Sequence, residues 1–372
     1  MWASVDWNMV GALASVGALV VGVPGFILSM LSVRRSLRRL ESQNEEGVEA
    51  LKKLAGLRKI SDGDQNALWS QPLQPAGFDY HDRLAKSIPI LLFANLKGGV
   101  GKTTIAGNVA AAFADQGERV LVLDLDYQGS LSSLYTGHAE ITDKEILDET
   151  KQRGAELLKG QRDAYWAKTA ASPVSSDLPR LRFIPTIYDM ADVENRLMIK
   201  WLLTETDGDA RLNLARILLD DEIQKSFDRI IIDTAPRMTL AFVNGICVST
   251  DLVIPTILDD LSTNATVNFL RQIKSLRPRI SPHLRLAGIV GSKTYFSEPG
   301  RFTAKEQSSI GRLRDQASSV YGHGEHFVDN CNIADKVAIA TAAGKRLAYF
   351  ENPDSKTMFK ALADELKRRT KR

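Results

Sequence analysis

Hydrophobic and polar positions divide the chain into three stretches. From Met9 to Val33 no charged residue occurs. At about 1.5 Å per residue a helix over 9–33 crosses a hydrocarbon layer of roughly 30 Å with some tilt. Arg34, Arg35, Arg38 and Arg39 follow at once, whereas only Asp6 is charged ahead of the run. By the positive-inside bias the arginine side is cytoplasmic, which predicts a single-pass anchor in the inner membrane, cytoplasmic side after Val33. Ala14, Ala18 and Gly22 repeat at i, i+4, i+8, a small-residue face that suits helix–helix packing in lipid. A polar stretch follows. Leu40 to Ile60 has a helical Glu/Lys/Leu composition with a poor heptad, and Gly63, Pro72, Pro75 and Gly77 mark a flexible tether. From Ile88 onward short apolar runs alternate with helical patterns, which predicts a doubly wound, mostly parallel α/β sheet. The expected organisation is thus an anchor over 1–33, a juxtamembrane helix and linker over 34–87, and one α/β domain over 88–372.

Three of the apolar runs end in residues that carry chemistry. The first, Ile88 to Ala94, leads into Lys97-Gly98-Gly99-Val100-Gly101-Lys102-Thr103-Thr104, and an amphipathic run, Thr104 to Phe113, follows. This is a phosphate-binding loop of a P-loop NTPase: glycine backbone N–H groups close around the phosphates, Lys102 adds a point charge, and the Thr103 hydroxyl holds Mg²⁺. The helix opening at Lys102 aims its positive end at the anion. The second run, Arg119 to Asp126, ends in Asp124 and Asp126, which as i and i+2 on a strand point the same way at its carboxyl end. The third, Phe227 to Asp233, reads as a Walker B strand whose Asp233 contacts Mg²⁺ directly or through water.

Lys97, placed ahead of the glycines, sharpens the reading. The spelling resembles the deviant Walker A of ParA/MinD-like ATPases of the SIMIBI class. The resemblance implies ATP and Mg²⁺ as cofactors, with Gly98, Gly99, Val100, Gly101, Lys102, Thr103, Thr104 and Asp124 around the nucleotide. It implies an ATP-dependent homodimer in which Lys97 reaches the partner subunit's nucleotide. The second motif is similar to the family's Asp-x-Asp-Pro-Gln-Gly-Asn segment. By that match Asp126 orients or deprotonates the attacking water, and Asp124 joins Thr103 and Asp233 near the metal. Tyr127 stands where the family has Pro, Ser130 where it has Asn, and Ala235 where it has a first Pro after Walker B. Leu181 to Thr186, Asp251 to Thr256 and Leu286 to Lys293 match further family strands, and Ser292, Lys293 and Thr294 fall where the base is read.

The expected function is that of a membrane-anchored, ATP-dependent dimerisation switch that recruits or positions a partner protein at the cytoplasmic face, the partner stimulating hydrolysis. A nucleotide-binding scaffold or effector subunit of a multi-protein system, such as a phage-defence module, is the alternative. A bacterial-type tyrosine kinase shares the anchor-plus-Walker layout, but here the last tyrosine is the isolated Tyr349 and no second apolar span occurs.

Composition changes little in this picture. A net charge of +3 does not demand nucleic acid, although the tail Lys367 to Arg372 offers a basic surface for DNA phosphates; cations complementing a helix dipole are the favoured account. Cys247 and Cys331 are too few and too distant for a metal cluster, and the five histidines form no metal spacing.

Overall fold

The computed structural model describes residues 68–75, 77–138, 153–175, 177–186, 189–203, 206, 208–296, 298, 300–335 and 347–371. The expected membrane span over 9–33 and the juxtamembrane helix lie outside these residues. Among the described residues, no helix is long and apolar enough to cross a membrane.

Chain contacts separate two units. One comprises Met1–Gln71 with Asn195–Thr206, and in it Trp69 and Trp201 stack at 6.2 Å between ring centroids. The other, Pro72–Glu194 with Asp207–Arg372, holds the sheet. Its strands are β1 (Ile90–Phe93), β2 (Val120–Leu125), β3 (Ser172–Pro173), β4 (Leu181–Ile184), β5 (Arg229–Thr234), β6 (Asp251–Ile257), β7 (Arg285–Thr294) and β8 (Ile333–Ala334). They run in the order β3-β4-β2-β5-β1-β6-β7-β8, all parallel except β3 against β4. The doubly wound, mostly parallel sheet expected from the pattern is therefore present. Strands β1, β2 and β5 are buried along their whole lengths, as continuous Ile/Leu/Val runs covered on both faces should be.

The helix after the phosphate-binding loop, α2 (Lys102–Asp115), follows α1 (Tyr80–Lys86) in the chain. An amphipathic α2 was the expectation, but the helix is buried from Ile105 through Ala114. The cause is a second cover. The last helix of the chain (Pro353–Arg369) contributes Phe359, Leu362, Ala363 and Leu366 to the core cluster that contains Ala110 to Ala114, so small side chains replace a polar face. Two polar residues fasten this layer: Asn108 accepts the Tyr349 N–H at 2.7 Å, and the Tyr349 hydroxyl donates to Asp115 at 2.9 Å.

Two segments make contacts that their local sequence does not announce. Within the linker expected over 34–87, the residues from Pro72 onward belong to the sheet unit. Gln74 N–H donates to Asp209 at 3.0 Å, Arg211 donates to the Pro72 carbonyl at 3.0 Å, and the buried Tyr80 hydroxyl donates to the Cys247 carbonyl at 2.5 Å. Pro and Gly shape this segment's turns without freeing it. In the basic tail, Lys367, Arg368 and Arg369 make internal contacts. Lys367 pairs with Glu118 at 2.8 Å, Arg368 with Glu325 and Glu365 at 2.8 and 2.7 Å, and Arg369 caps the Ala287 and Phe327 carbonyls at 3.2 and 3.1 Å. These three cations face acids and carbonyls of their own fold.

Candidate nucleotide and cation site

Open α/β sheets bind ligands beyond the carboxyl ends of their strands, and that edge gathers the expected residues. The registers Phe93↔Asp233 and Asp124↔Asp233 set the ends of β1, β5 and β2 side by side. Beyond β1, Asn95 anchors the start of the loop. Its side-chain amide donates to the Pro255 carbonyl and to Thr266, both at 2.9 Å, and its Oδ1 accepts the Lys97 N–H at 3.1 Å. Farther along, Ser292 at the end of β7 donates to the Val100 carbonyl at 2.8 Å. The loop is thereby pinned at both ends, while Gly98 and Gly99 stay exposed between the pins.

Glycine is required here by the backbone, and the space above it is open. Gly99 and Gly101 adopt φ of +72° and +85°, and a Cβ on Gly98 or Gly99 would meet nothing within 4 Å. Open room above bare backbone is what close approach of a phosphate needs. Gly101 is also the N-cap of α2 and supplies no side-chain cap, which leaves the helix's first N–H groups to an incoming anion. Thr103 and Thr104 stand half-buried at that helix end. Lys102 is buried at 6% exposure, and its Nζ donates to the Lys97 carbonyl at 3.1 Å. Burial pulls its pKa below the usual lysine value, while Asp233 and Asp126 draw it back up. Lys97 is half-buried at the mouth of the loop.

The carboxylates divide sharply. Asp124 accepts Asp126 N–H on one oxygen at 3.0 Å, and both the N–H and the hydroxyl of Ser132 on the other at 2.8 Å. Burial lifts it to about 7 even so. Asp124, expected near the cation, uses both oxygens to shape the turn that follows β2 and the start of α3 (Ser130–His138). Asp233 is equally buried, yet neither of its oxygens has a hydrogen-bond partner. Its pKa is pushed far above the carboxylate range by burial and by the nearby Asp124 charge, with Thr103 and Lys102 pulling the other way. A buried, unpartnered carboxylate beside a threonine hydroxyl and a phosphate loop fits a hard divalent cation such as Mg²⁺, which takes oxygen ligands. Asp126, 7% exposed, accepts Gln128 N–H at 3.0 Å and lies close enough to Lys102 to raise its pKa.

Lys293 is the outlier among the expected residues. Its side chain is exposed at the end of β7, where its backbone has φ of +50°, and it is the neighbouring Ser292 that touches the loop. Four residues near the site escaped the sequence reading: Asn95, Ser132, Glu194 and Arg237. Glu194 is a buried carboxylate accepting Ala241 N–H at 2.6 Å. Nothing in a single sequence separates these from ordinary polar positions, although Tyr127, which departs from the family spelling, points toward Arg237 through the contact described below.

Residues 88–286 match the model of a family described as AAA domain, AAA_31. An uncharacterized protein of Mycobacterium tuberculosis, MT1749, is 28% identical over 204 residues, which cover 54% of this chain and 57% of that protein. The chromosome partitioning protein ParA of Caulobacter vibrioides is 29% identical over 210 residues, covering 55% and 70%. The chain therefore spans little more than half the length of the first of these relatives. Among solved structures, a Cyanothece McdA variant in complex with ATP superposes with a TM-score of 0.58 at 19% identity, over 75% of this chain and 96% of that one. That likeness speaks for the fold.

Proposed function

From the premise that this chain belongs to the AAA-domain family and is a ParA-like member of it, we propose that it binds and hydrolyses ATP with Mg²⁺ and uses the nucleotide to switch between monomer and homodimer. The observation that carries this reading is the unpartnered Asp233 carboxylate, set beside Lys102 and Thr103 at an open glycine loop. Lys102 and the free N–H groups of α2 would hold the β- and γ-phosphates. Thr103 and Asp233 would hold Mg²⁺, which when bound neutralises charge that builds up during phosphoryl transfer. Asp126 would orient the attacking water. Lys97, at the mouth of the loop, would reach the partner subunit's nucleotide and so make the dimer depend on ATP.

The anchor remains part of the proposal. The apolar run 9–33 with its following arginines would hold the ATPase at the cytoplasmic face of the inner membrane, where the ATP-bound dimer recruits or positions a partner protein that stimulates hydrolysis. The scaffold reading differs in predicting ATP binding without phosphate release. Against the kinase reading stands Tyr349, fully buried and hydrogen-bonded to Asp115, where no kinase would reach it.

The test is light scattering on the full chain in detergent, carrying Asp126→Ala to prevent turnover, with ADP and with ATP–Mg²⁺. We expect a dimer with ATP only, lost on Lys97→Ala. A mass indifferent to nucleotide would defeat the switch. Sedimentation of the unaltered chain with membrane vesicles, compared with a chain beginning at Leu40, tests the anchor separately.

A further inference from the structure

The loop that carries Asp126 is tied to the loop that follows Asp233. Tyr127, the residue after Asp126, lies under the guanidinium of Arg237, whose central carbon is 4.4 Å from the ring centroid. Arg237 sits four residues beyond Asp233, in the segment between β5 and the helix Leu240–Val248. The first turn of the helix that follows this segment is held by Glu194, from the helix Asp189–Leu202, through the bond from Ala241 N–H at 2.6 Å. Burial raises the Glu194 carboxyl, while Thr239, Ala241 and Arg237 draw it back. Asp126 in turn owes its orientation to its own loop: Gln128 N–H donates to its side chain at 3.0 Å, and Gly129 N–H closes the turn on its carbonyl at 2.8 Å with φ of +61° at Gly129. Whatever holds Tyr127 therefore holds the turn that aims Asp126.

We propose that Tyr127 and Arg237 form a clasp that positions Asp126 for hydrolysis. Proline at 127, the family's spelling, stiffens a loop through its own ring. In this chain a cation–π contact across to the Asp233 loop does that work, so the two loops move together. The inference rests on the reading of Asp126 as the residue that orients water, and its two parts are tested apart. Both residues act as positioning residues, since neither needs to touch the nucleotide.

The experiment uses the full chain with Tyr127→Phe, Tyr127→Leu, Arg237→Gln and the double variant Tyr127→Leu/Arg237→Gln. Amide hydrogen exchange without nucleotide comes first. We expect Arg237→Gln to speed exchange severalfold at Gln128 and Gly129, and Tyr127→Leu to do the same at Ala241 to Val243. Tyr127→Phe, which keeps the ring, should match the unaltered chain, and the double variant should exceed neither single one. Effects confined to the mutated loop, or adding in the double variant, overturn the clasp. Turnover comes second. Loss of the clasp should lower kcat about tenfold with KM within about twofold, because a small misplacement of a catalytic group costs rate and spares binding. An unchanged kcat in Tyr127→Leu, with exchange coupling present, overturns the positioning role. If the unaltered chain binds ATP without turnover, the hydrolysis reading and the positioning role fail together, whereas the exchange arm still decides whether the loops are clasped.

Discussion

The carboxyl ends of β2 and β5 present the same group in the same place and treat it in opposite ways. Asp124 and Asp233 are register partners on adjacent parallel strands, and both are at most 1% exposed. Asp124 is given three donors, from Asp126 and Ser132; Asp233 has no partner in hydrogen-bond geometry, and only the Thr103 hydroxyl stands near enough to lower its pKa. Burying a carboxylate without partners is costly, so a fold that satisfies one and neglects its neighbour is holding the second for something absent from the protein alone. The first carboxylate organises a loop, and the second is the one proposed to meet a cation. Sequence spacing could not tell the two apart, because both are aspartates ending apolar strands.

The largest effect that would break this comparison comes from matched amide substitutions. Asp233→Asn removes the charge held for the cation. We expect hydrolysis to fall roughly 10²–10³-fold, the scale of losing one electrostatic partner of a transition state, with Mg²⁺-dependent ATP binding weakened as well. In the protein without nucleotide the same change should leave stability nearly unchanged where the raised pKa keeps Asp233 protonated, and raise it at alkaline pH, where the buried carboxylate is charged and unpaired. Asp124→Asn should do the reverse: its amide N–H₂ or its single carbonyl must face donors from Ser132 and Asp126, destabilising the fold by about 1–3 kcal/mol. Urea unfolding without nucleotide and ATP titration of both variants measure the contrast. Stability shifts of the same sign in the two variants would sink it.

A pH series sharpens the comparison with a smaller effect. Both carboxyls have folded pKa values above the ordinary value of about 4, Asp124 reaching about 7 and Asp233 also raised by its burial. A group that binds its proton more tightly in the folded chain favours folding below its unfolded pKa, and that contribution drains away as pH climbs through the folded value. The unfolding midpoint of the nucleotide-free protein should therefore drop between about pH 5 and pH 8. Mg²⁺ with ATP should restore more of it at pH 8 than at pH 6, because the cation competes with protons for Asp233. In Asp233→Asn the Mg²⁺-dependent recovery should vanish while the Asp124 part of the slope remains.

The sequence was readable where a backbone requirement or a strand period forces residue choice. Gly99 and Gly101 at positive φ, the buried β1, β2 and β5, and α2 opening at Lys102 all follow from local rules. It was silent where partners come from far along the chain. Ser132 reaches Asp124 from the next helix, Glu194 reaches Ala241 across 47 positions, and Asn95 spans to Pro255 across 160. It misled where one face had a cover that no local pattern announces: α2 reads as amphipathic and is buried because the chain's last helix lies on it.

The finest distinction between the two strand ends rests on Ser132. Its hydroxyl donates to Asp124 at 2.8 Å and accepts Thr186 N–H at 2.9 Å, so it links β2 to the end of β4. Ser132→Ala removes both bonds, while the Ser132 backbone N–H still serves Asp124. We expect a loss of about 0.5–1.5 kcal/mol in stability and a further rise in the Asp124 pKa, which steepens the decline of the midpoint above pH 7. Asp233 gains and loses nothing directly, so ATP–Mg²⁺ affinity should stay within about twofold, corresponding to about 0.4 kcal/mol. A large loss of affinity in Ser132→Ala would mean that the two carboxylates act as one unit, and that the division of labour between β2 and β5 is wrong.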